Sequence, residues 1–167
     1  MLSGAATDRD VAALVRLHNA AAETLTAQHG HGHWSGVVTE KSVRSRFRNA
    51  RYLMARDGDE VIGALRLVTK KPWAIDVSYF TPVKRALYLL DMVVAPERQG
   101  TGVGRVLVES ALREARAFPA QAIRLDAYDA PAGAGGFYAR CGFRDVGHVV
   151  YRDVPLVYFE RLIDGAS

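Results

Sequence analysis

Residues 87–107 read LYLLDMVVAPERQGTGVGRVL, and this is the most informative stretch of the chain. An apolar run ends at a turn with Pro96, and a loop with Gly100, Gly102 and Gly104 leads into a new helical pattern. A strand that passes into a helix through such a loop leaves backbone N–H groups unpaired at the positive end of the helix dipole. The stretch therefore predicts an anion site, most often one for phosphate.

Two other kinds of glycine loop do not fit these residues. A Walker P-loop needs a Lys directly after its last glycine, and Arg105 stands at that place. A dinucleotide-binding fingerprint needs Gly-x-Gly-x-x-Gly, and here Gly104 comes one residue too early. The remaining alternative is a glycine turn that only starts a helix, although three alternating glycines cost more chain entropy than such a turn requires.

The loop resembles a known family signature. Gln99-Gly100-Thr101-Gly102-Val103-Gly104 fits the Gln/Arg-x-x-Gly-x-Gly/Ala pattern of the GNAT superfamily, N-acetyltransferases that use acetyl-CoA. Downstream, the segment 137–143 (FYARCGF) is similar to the family's aromatic-Tyr-x-x-x-Gly-Phe motif and follows a predicted strand that reads IRLDAY. The resemblance covers the chain from about Leu53 to the end, and the first 50 residues agree with the family in layout.

The resemblance implies a fold, a reaction and a binding loop. The fold is α/β, a GNAT-like mixed, mostly antiparallel central sheet flanked by helices, in a single domain of residues 1–167. The reaction moves acetyl from acetyl-CoA, the co-substrate, to a primary amine by direct attack. The residues expected to cradle the pyrophosphate are Gln99, Gly100, Thr101, Gly102, Val103, Gly104 and Arg105. The backbone expected to contact the pantetheine arm belongs to Met92, Val93 and Val94.

Local patterns predict the order of helices and strands. Helices are predicted from Asp8 to about Ala27, from Thr39 as cap to about Asn49, at 104–118 and at 134–141. Strands are predicted at 51–56, 60–69, 86–94, 122–128, 147–151 and 156–162, with a faint opening strand near Leu2. The strand at 86–94 is almost wholly apolar, which is typical of a central strand.

Tyr138 is the candidate general acid. A CoA thiolate leaves more easily when an acid protonates it, since its thiol has a pKa of about 8.5. In the family that the chain resembles, the Tyr of this motif lies beside the CoA sulfur, and Tyr138 holds that position. The alternative is that its ring is a core residue, as is expected of Phe137 and Phe143.

Asp126 is one candidate for the base that takes a proton from the acceptor amine. Strand alternation puts Asp126 and Tyr128 on the face opposite Leu125 and Ala127. Asp126 also lies twelve residues before Tyr138. Members of the family that acetylate ribosomal-protein N-termini have a strand carboxylate at the same distance, which favours Asp126.

Asp91 is the competing base. It is the only charged residue in the strand at 86–94, where a charge needs a partner or a role. The alternative is an ion pair with Arg66 or Arg124 on neighbouring strands. A base that acts through a water relay, or no base at all, also stays open.

Two positions depart from the family pattern. Several members carry the base in the preceding strand at places that match Tyr88 and Leu90, and neither residue is a carboxylate. The family also often places an Asn shortly before the Tyr helix, and the segment 129–133 (DAPAG) has none. These departures concern the catalytic residues and not the fold.

Loop histidines and aromatic residues are candidates for choosing the acceptor. His29, His31 and His33 alternate among glycines with no carboxylate partner fixed by the sequence, so no metal site is predicted. In the family, the loop between the first two helices borders the acceptor site, which implies that the segment 29–34 shapes substrate choice. Three aromatic residues after the third strand share that expected role: Trp73, Tyr79 and Phe80.

Composition excludes several classes of protein. A chain of 167 residues with 49% hydrophobic and 24% charged residues is ordinary for a globular domain. One cysteine, Cys141, excludes an internal disulfide and a Cys-based zinc site. No run approaches the roughly 18 uninterrupted apolar residues of a membrane span, and the first ten residues, which lack an apolar run, are not expected to be a signal peptide. The expected location is the cytoplasm, without a membrane partner.

The charge fits a phosphate-bearing ligand. The chain has 22 Lys and Arg against 18 Asp and Glu, a net charge of +4. The basic segment 41–51 also has Val43 and Phe47 four residues apart, so its arginines fit the solvated face of a helix and no nucleic acid partner is expected. The expected partner is a small-molecule or peptide amine acceptor, and a homodimer stays open.

Three rival functions remain from the sequence alone. One is a non-catalytic acyl-CoA-binding or regulatory protein of the same fold. Another is an acetyltransferase that acts on protein N-termini or lysines rather than on a small molecule. The third is a nucleic-acid-binding module.

Overall fold

The computed structural model describes residues 1–164. The four helices are α1 (Val11–His29), α2 (Glu40–Arg46), α3 (Val103–Ala117) and α4 (Gly135–Arg140). The seven strands are β1 (Leu2–Ala5), β2 (Ala50–Asp57), β3 (Glu60–Val68), β4 (Ala86–Val94), β5 (Ala122–Tyr128), β6 (Arg144–Tyr151) and β7 (Val154–Leu162). No helix in this described part is long and apolar enough to cross a membrane.

The strands form one sheet in the order β1-β2-β3-β4-β5-β7-β6. β4 and β5 are parallel, with Ala86 opposite Ala122, whereas β1 pairs antiparallel with β2, and β7 pairs antiparallel with both β5 and β6. This arrangement confirms the predicted α/β fold with a mixed, mostly antiparallel sheet flanked by helices. The apolar strand β4 is the fourth of seven, as its composition predicts.

The chain divides into two compact units. The first contains residues 1–67 and 90–111, and the second contains residues 68–89 together with the chain from Leu112 onward. The division passes within β4 and within α3, so each unit is built from two separate segments of the chain.

The first unit has its own apolar core. Helix α1 contributes Val11, Leu14 and Leu17, which recur at the spacing of one helix face and are all buried. They pack with Val43 of α2 and with buried residues of the strands: Tyr52, Met54, Ala64 and Val93. The Thr39 hydroxyl caps α2 by accepting a hydrogen bond from the Ser42 N–H at 3.2 Å, as the sequence predicts.

The second unit contains a smaller cluster of buried apolar and aromatic side chains. Ile75, Phe80, Tyr88 and Tyr158 pack together, and the Tyr158 ring lies 5.2 Å from that of Phe80 between centroids. The Tyr158 hydroxyl accepts a hydrogen bond from the Asp76 N–H at 3.1 Å and donates one to the Ala74 carbonyl. The irregular segment 72–80 is therefore fixed to β7 through both a ring and a hydroxyl.

The bounds of α2 and β6 differ from the sequence prediction for a visible reason. Helix α2 ends at Arg46 and not near Asn49, because Asn49 takes a φ of +56°, a conformation that stops a helix and that Asn tolerates. Strand β6 begins at Arg144 and not at Gly147, because a bulge between Asp145 and Gly147 carries the ladder through the glycine. The faint opening strand near Leu2 exists as β1.

Candidate functional site

The loop between β4 and α3, in the first unit, needs its glycines for conformation. Gly100 has a φ of +77° and Gly102 a φ of +93°, in the region that L-residues with a Cβ rarely adopt. A Cβ at either position would meet nothing within 4 Å, so the requirement is backbone geometry and not crowding. The loop begins at the short turn 96–98, and the Thr101 hydroxyl donates to the Arg98 carbonyl at 2.5 Å.

Four successive backbone amides at the start of α3 lack a backbone acceptor within residues 1–164 and form a row of open amides. The first hydrogen bond of the helix runs from the Val106 N–H to the Gly102 carbonyl at 3.1 Å. The N–H groups of residues 102–105 have no backbone carbonyl acceptor within residues 1–164. Such a row of donors at the positive end of a 15-residue helix fits the phosphates of CoA.

Gly63 of β3 fixes the height of α3 above the sheet. A Cβ at this position would lie 2.8 Å from Cγ1 of Val103 and 2.9 Å from Cδ1 of Leu107, both of which are fully buried. Only a residue without a side chain therefore lets the first turn of α3 pack this closely on β3. The open amides are thus positioned by packing beneath them.

Arg98 fixes the other side of the loop to the β2–β3 hairpin. Its guanidinium donates to Asp57 at 2.7 Å and to Glu60 at 3.1 Å, one residue on each strand. The hydrogen bond and charge of Arg98 lower the pKa of the Asp57 carboxyl. The pairs are exposed, so they orient the loop more than they stabilise the fold.

All ten residues predicted to bind acetyl-CoA lie in the first unit. Met92, Val93 and Val94 form the end of β4, with Val93 buried and its two neighbours half-buried. Gln99, Gly100, Thr101, Gly102, Val103, Gly104 and Arg105 form the loop and the first turn of α3. Strand end and loop are therefore parts of one connected stretch of backbone.

Tyr138 lies in the second unit with its ring in an aromatic cluster. The ring is 6% exposed and its centroid lies 5.3 Å from that of Phe137, 5.6 Å from Phe143 and 5.9 Å from Phe159. Burial raises the pKa of the Tyr138 hydroxyl, and the charges of Asp126 and Cys141 raise it further. The hydroxyl therefore stays protonated across the working pH range, as a proton or hydrogen-bond donor must.

Asp126 lies in the same unit as Tyr138, on β5. Its half-buried carboxylate accepts no hydrogen bond from any of residues 1–164, and burial raises its pKa above the ordinary value. A carboxylate without a partner, with a raised pKa, is suited to take up a proton. In the β5–β7 ladder Asp126 stands opposite Tyr158.

Asp91 has two cationic partners in the first unit. Its Oδ2 atom lies 2.6 Å from Arg66 Nε and 3.5 Å from Arg46 Nη1. Its φ of +52° interrupts the extended backbone of β4. The partner is thus Arg66, one of the two that the sequence suggested, whereas Arg124 bonds to the Tyr88 hydroxyl and the Thr81 carbonyl.

Replacing Asp91 by asparagine should lower stability more than it lowers the rate. Asparagine tolerates a positive φ, so the variant isolates the charge, and loss of the carboxylate leaves two guanidiniums facing each other. All three side chains are 17–28% exposed, so we expect a cost of about 1–3 kcal/mol, less than for a fully buried pair. Thermal denaturation and acetyl-CoA thiol release measure the two effects.

Glu40→Gln is the matched control for Asp91→Asn. It removes the ion pair with Arg44, whose partners are both more than half exposed, and should change the free energy of unfolding by less than about 0.5 kcal/mol. A large loss of rate in Asp91→Asn with unchanged stability would contradict the structural role and move the base to Asp91.

His18 and Tyr52 form a hydrogen-bonded pair that sequence reasoning missed. His18 Nε2 and the Tyr52 hydroxyl lie 2.6 Å apart, and Tyr52 is 2% exposed. Burial, aided by the charge of Arg46, lowers the pKa of His18 to about 4, so the imidazole is neutral at pH 7. The one available signal was a histidine on the apolar face of α1.

The loop histidines are not brought together around a metal. His29 ends α1 and its ring stands edge-on to Trp34, with centroids 6.5 Å apart. Among residues 1–164, no three His, Cys, Asp or Glu side chains are grouped so that they could hold a metal ion.

The family model described as Acetyltransferase (GNAT) family matches residues 14–143. The chain belongs to the GNAT family. It is therefore an acetyltransferase with acetyl-CoA as its co-substrate, and the row of open amides at α3 fits that ligand. No curated protein sequence matches the chain.

Solved structures share the whole fold at low sequence identity. The ribosomal-protein-alanine N-acetyltransferase from Brucella melitensis is 21% identical, with a TM-score of 0.74, covering 97% of this chain and 99% of that one. The ribosomal-protein-S18-alanine N-acetyltransferase from Escherichia coli is 16% identical, with a TM-score of 0.69 and coverage of 99% and 96%. An aminoglycoside 6'-N-acetyltransferase complexed with coenzyme A is 17% identical, with a TM-score of 0.70 and coverage of 100% and 99%.

Proposed function

We propose that this GNAT acetyltransferase moves acetyl from acetyl-CoA to a primary amine of its acceptor by direct attack. The observation that carries the proposal is the row of open amides at residues 102–105, behind two glycines with positive φ. An acetyl-CoA thiol-release screen over amino acids, polyamines, aminoglycosides and peptides tests it. Release of free thiol that depends on one acceptor class supports transfer, and tight acetyl-CoA binding without release by any acceptor favours a non-catalytic acyl-CoA-binding protein.

The proposed base is Asp126. In the reaction the amine nitrogen bonds to the thioester carbonyl carbon, the carbon–sulfur bond breaks, and the nitrogen loses a proton. The Asp126 carboxylate has no partner within the described residues and can accept that proton. Asp91 is the alternative base, but two guanidiniums already face its Oδ2 atom, which is one of the two atoms that could accept the proton.

The proposed acid is Tyr138. Its raised pKa makes complete transfer of the proton to a thiolate of pKa about 8.5 unfavourable. The hydroxyl can still donate a hydrogen bond to the sulfur as negative charge develops there, which lowers the barrier without requiring full transfer. The aromatic cluster around the ring fixes the direction of that donor.

Tyr138→Phe should reduce turnover by about 10–10³-fold. The substitution deletes one hydroxyl and keeps the ring, so the packing with Phe143 and Phe159 should persist. Acetyl-CoA affinity should stay within about threefold of wild type, because the lost interaction belongs to the transition state. Steady-state kinetics at saturating acceptor, together with calorimetry, measure both quantities.

An acetyl donor with a more acidic thiol is the control for Tyr138→Phe. Such a leaving group departs more readily without a hydrogen-bond donor, so the difference in turnover between Tyr138→Phe and wild type should become smaller. Normal turnover of Tyr138→Phe with acetyl-CoA, when chemistry limits the rate, would leave the residue with a packing role only.

The nature of the acceptor is open between two classes. Neighbouring structures include enzymes named for aminoglycosides and for alanine of ribosomal proteins, so both small amines and protein N-termini belong in the screen. We also propose that residues 1–167 form a single domain, which the family match across both compact units supports. A homodimer and a cytoplasmic location stay predictions.

A further inference from the structure

We propose that a surface pocket in the second unit, between the segment 73–79 and the β6–β7 hairpin, binds a primary ammonium group carried on an apolar body. The pocket would thereby select the acceptor, so this inference rests on the proposed amine acetylation. Its volume is about 400 Å³. The residues that line it are Trp73, Ala74, Asp76, Tyr79, Val149, Val150, Tyr151 and Tyr158.

The walls of the pocket are largely aromatic and open to solvent. Trp73 is 82% exposed, Val150 71% and Tyr79 43%. Large apolar side chains that are grouped in this way on a surface mark binding sites more often than single exposed ones do. The faces of Trp and Tyr rings carry negative potential and attract cations, in particular ammonium groups.

The pocket is held in shape by contacts beneath it. Tyr158 fixes the segment at Ala74 and Asp76 through its hydroxyl, and Lys71 Nζ donates to the Pro72 and Ile75 carbonyls at 3.0 and 2.8 Å. At the bulge of β6, a Cβ on Gly147 would lie 2.3 Å from Cδ1 of Tyr79.

The glycine therefore makes room for the Tyr79 ring against the strand. Because Tyr79 also meets the Tyr158 ring edge-on at 5.5 Å between centroids, its position is set from two sides. A wall fixed before binding loses little entropy when a ligand enters, which favours a selective site.

Asp76 supplies the charge that an ammonium group needs. Its Oδ1 atom accepts hydrogen bonds from the Ser78 N–H and hydroxyl at 3.0 and 2.7 Å, and these bonds lower the pKa of the carboxyl. Its Oδ2 atom has no hydrogen-bond partner in residues 1–164 and is free to accept one from a ligand.

Two cations of the chain lie close to the pocket. The Lys71 ammonium is already bonded to two carbonyls. The Arg152 guanidinium lies 5.2 Å from the centroid of Tyr151, so one aromatic ring of the wall already carries a cation. The carboxylate of Asp76 and the rings of Trp73 and Tyr79 remain for the ligand.

The pocket lies on the same face of the sheet as the proposed base. Tyr158, which lines the pocket, stands opposite Asp126 in the antiparallel β5–β7 ladder. Side chains of directly opposite residues lie on the same face of a sheet with their Cβ atoms about 5 Å apart. An amine held among the rings is therefore presented on the face of β5 from which Asp126 projects.

A charge series of ligands tests the proposal in the Trp34→Phe variant of the full chain. The chain has two tryptophans, so Trp73 is then the only one, and its emission reports on the pocket without any need for turnover. The probes are 2-phenylethylammonium, 2-phenylethanol and 3-phenylpropionate, which share an apolar body and differ in charge. A fourth probe, phenylalanylglycine amide, presents the same ammonium group on a peptide N-terminus.

We expect saturable changes in Trp73 emission with an affinity at least about tenfold higher for the ammonium than for the alcohol, and lowest for the carboxylate. Asp76→Asn keeps the acceptor for Ser78 and removes the charge, so it should weaken ammonium binding by about threefold to tenfold and leave the alcohol unchanged. Asp59→Asn, which removes an exposed carboxylate from the β2–β3 turn, should change neither affinity. Tighter binding of the peptide than of the small amine identifies the acceptor as the N-terminus of a polypeptide. The opposite order identifies the acceptor as a small amine.

Equal affinities for the three charge types, preference for the carboxylate, or no saturable binding of any probe would overturn the proposal. Acetyl-CoA calorimetry and thiol release on the same protein keep this failure separate from that of the proposed function. If the protein shows no selectivity for ammonium but still releases thiol, only the pocket proposal is overturned. Ammonium selectivity in a protein that releases no thiol with any acceptor overturns the transfer reaction and leaves the pocket as a binding site.

Discussion

Replacement of Gly102 by valine should weaken acetyl-CoA binding by about a hundredfold or more while the protein stays folded. Gly102 has a φ of +93°, which costs a β-branched residue about 1–2 kcal/mol or forces the backbone into another conformation. Any such change turns the amides of residues 102–105 away from their common direction. Calorimetry with acetyl-CoA measures the loss, and circular dichroism checks the fold.

Gly30→Val is the matched control for the valine at position 102. Gly30 also has a positive φ, +81°, and also has nothing within 4 Å of a Cβ, so a valine there likewise strains the backbone without crowding. It ends α1 and lies outside the proposed binding loop, so acetyl-CoA affinity should stay unchanged. Unchanged affinity in Gly102→Val as well would refute the loop as the pyrophosphate site.

Asp126→Asn should lower kcat/KM by about 10²–10⁴-fold, the scale of general-base catalysis. Aspartate acts as a base only when it is deprotonated, and burial raises its pKa. The wild-type rate should therefore fall with decreasing pH through a pKa above the ordinary value of 3.8. The variant should have lost this acidic limb, because asparagine does not titrate. Steady-state rates across pH, with acetyl-CoA saturating, measure both effects.

Asp129→Asn is the control on the same stretch of chain. Its carboxylate is bonded to His148 at 2.8 Å and is exposed, so its removal should leave both the rate and the acidic limb in place. A loss of rate in Asp126→Asn without any change in the shape of the pH profile would argue for a positioning role. Normal kinetics in Asp126→Asn together with slow kinetics in Asp91→Asn would assign the base to Asp91 and not to Asp126.

The regular elements were predictable where apolar runs meet strong breakers. β4 and β5 have the bounds that the sequence predicts, because each is a mostly apolar run that ends shortly before a proline or a charged residue. The glycines marked the loop, but the sequence does not show which of them take a positive φ: Gly100 and Gly102 do, and Gly104 does not. Helix α2 was overextended because the tolerance of Asn for a positive φ does not by itself fix the residue at which a helix ends.

The partners of the candidate residues were not predictable in the same way. Asp91 is a charged residue in an apolar strand, so the sequence indicated that it needs an ion-pair partner. Two arginines were equally suitable partners by sequence, and only the fold shows that Arg66 is the one. His18 and Tyr52 are 34 positions apart, and their contact depends on how α1 lies on β2. Tyr158 and Asp76 are 82 positions apart, so the pocket that they share leaves no local signal. The spacing of residues along the sequence predicts local geometry, whereas these contacts join residues that are far apart in the chain.

The discontinuity of the two compact units has a consequence for synthesis on the ribosome. The first unit needs residues 90–111 in addition to residues 1–67, so it cannot be completed when its first segment emerges. The segment 68–89, which is made in between, belongs to a unit whose other strands come only after Leu112. The first unit can therefore be completed only after the glycine loop and the first half of α3 have left the tunnel. Neither unit can be cut out of the gene as one continuous fragment.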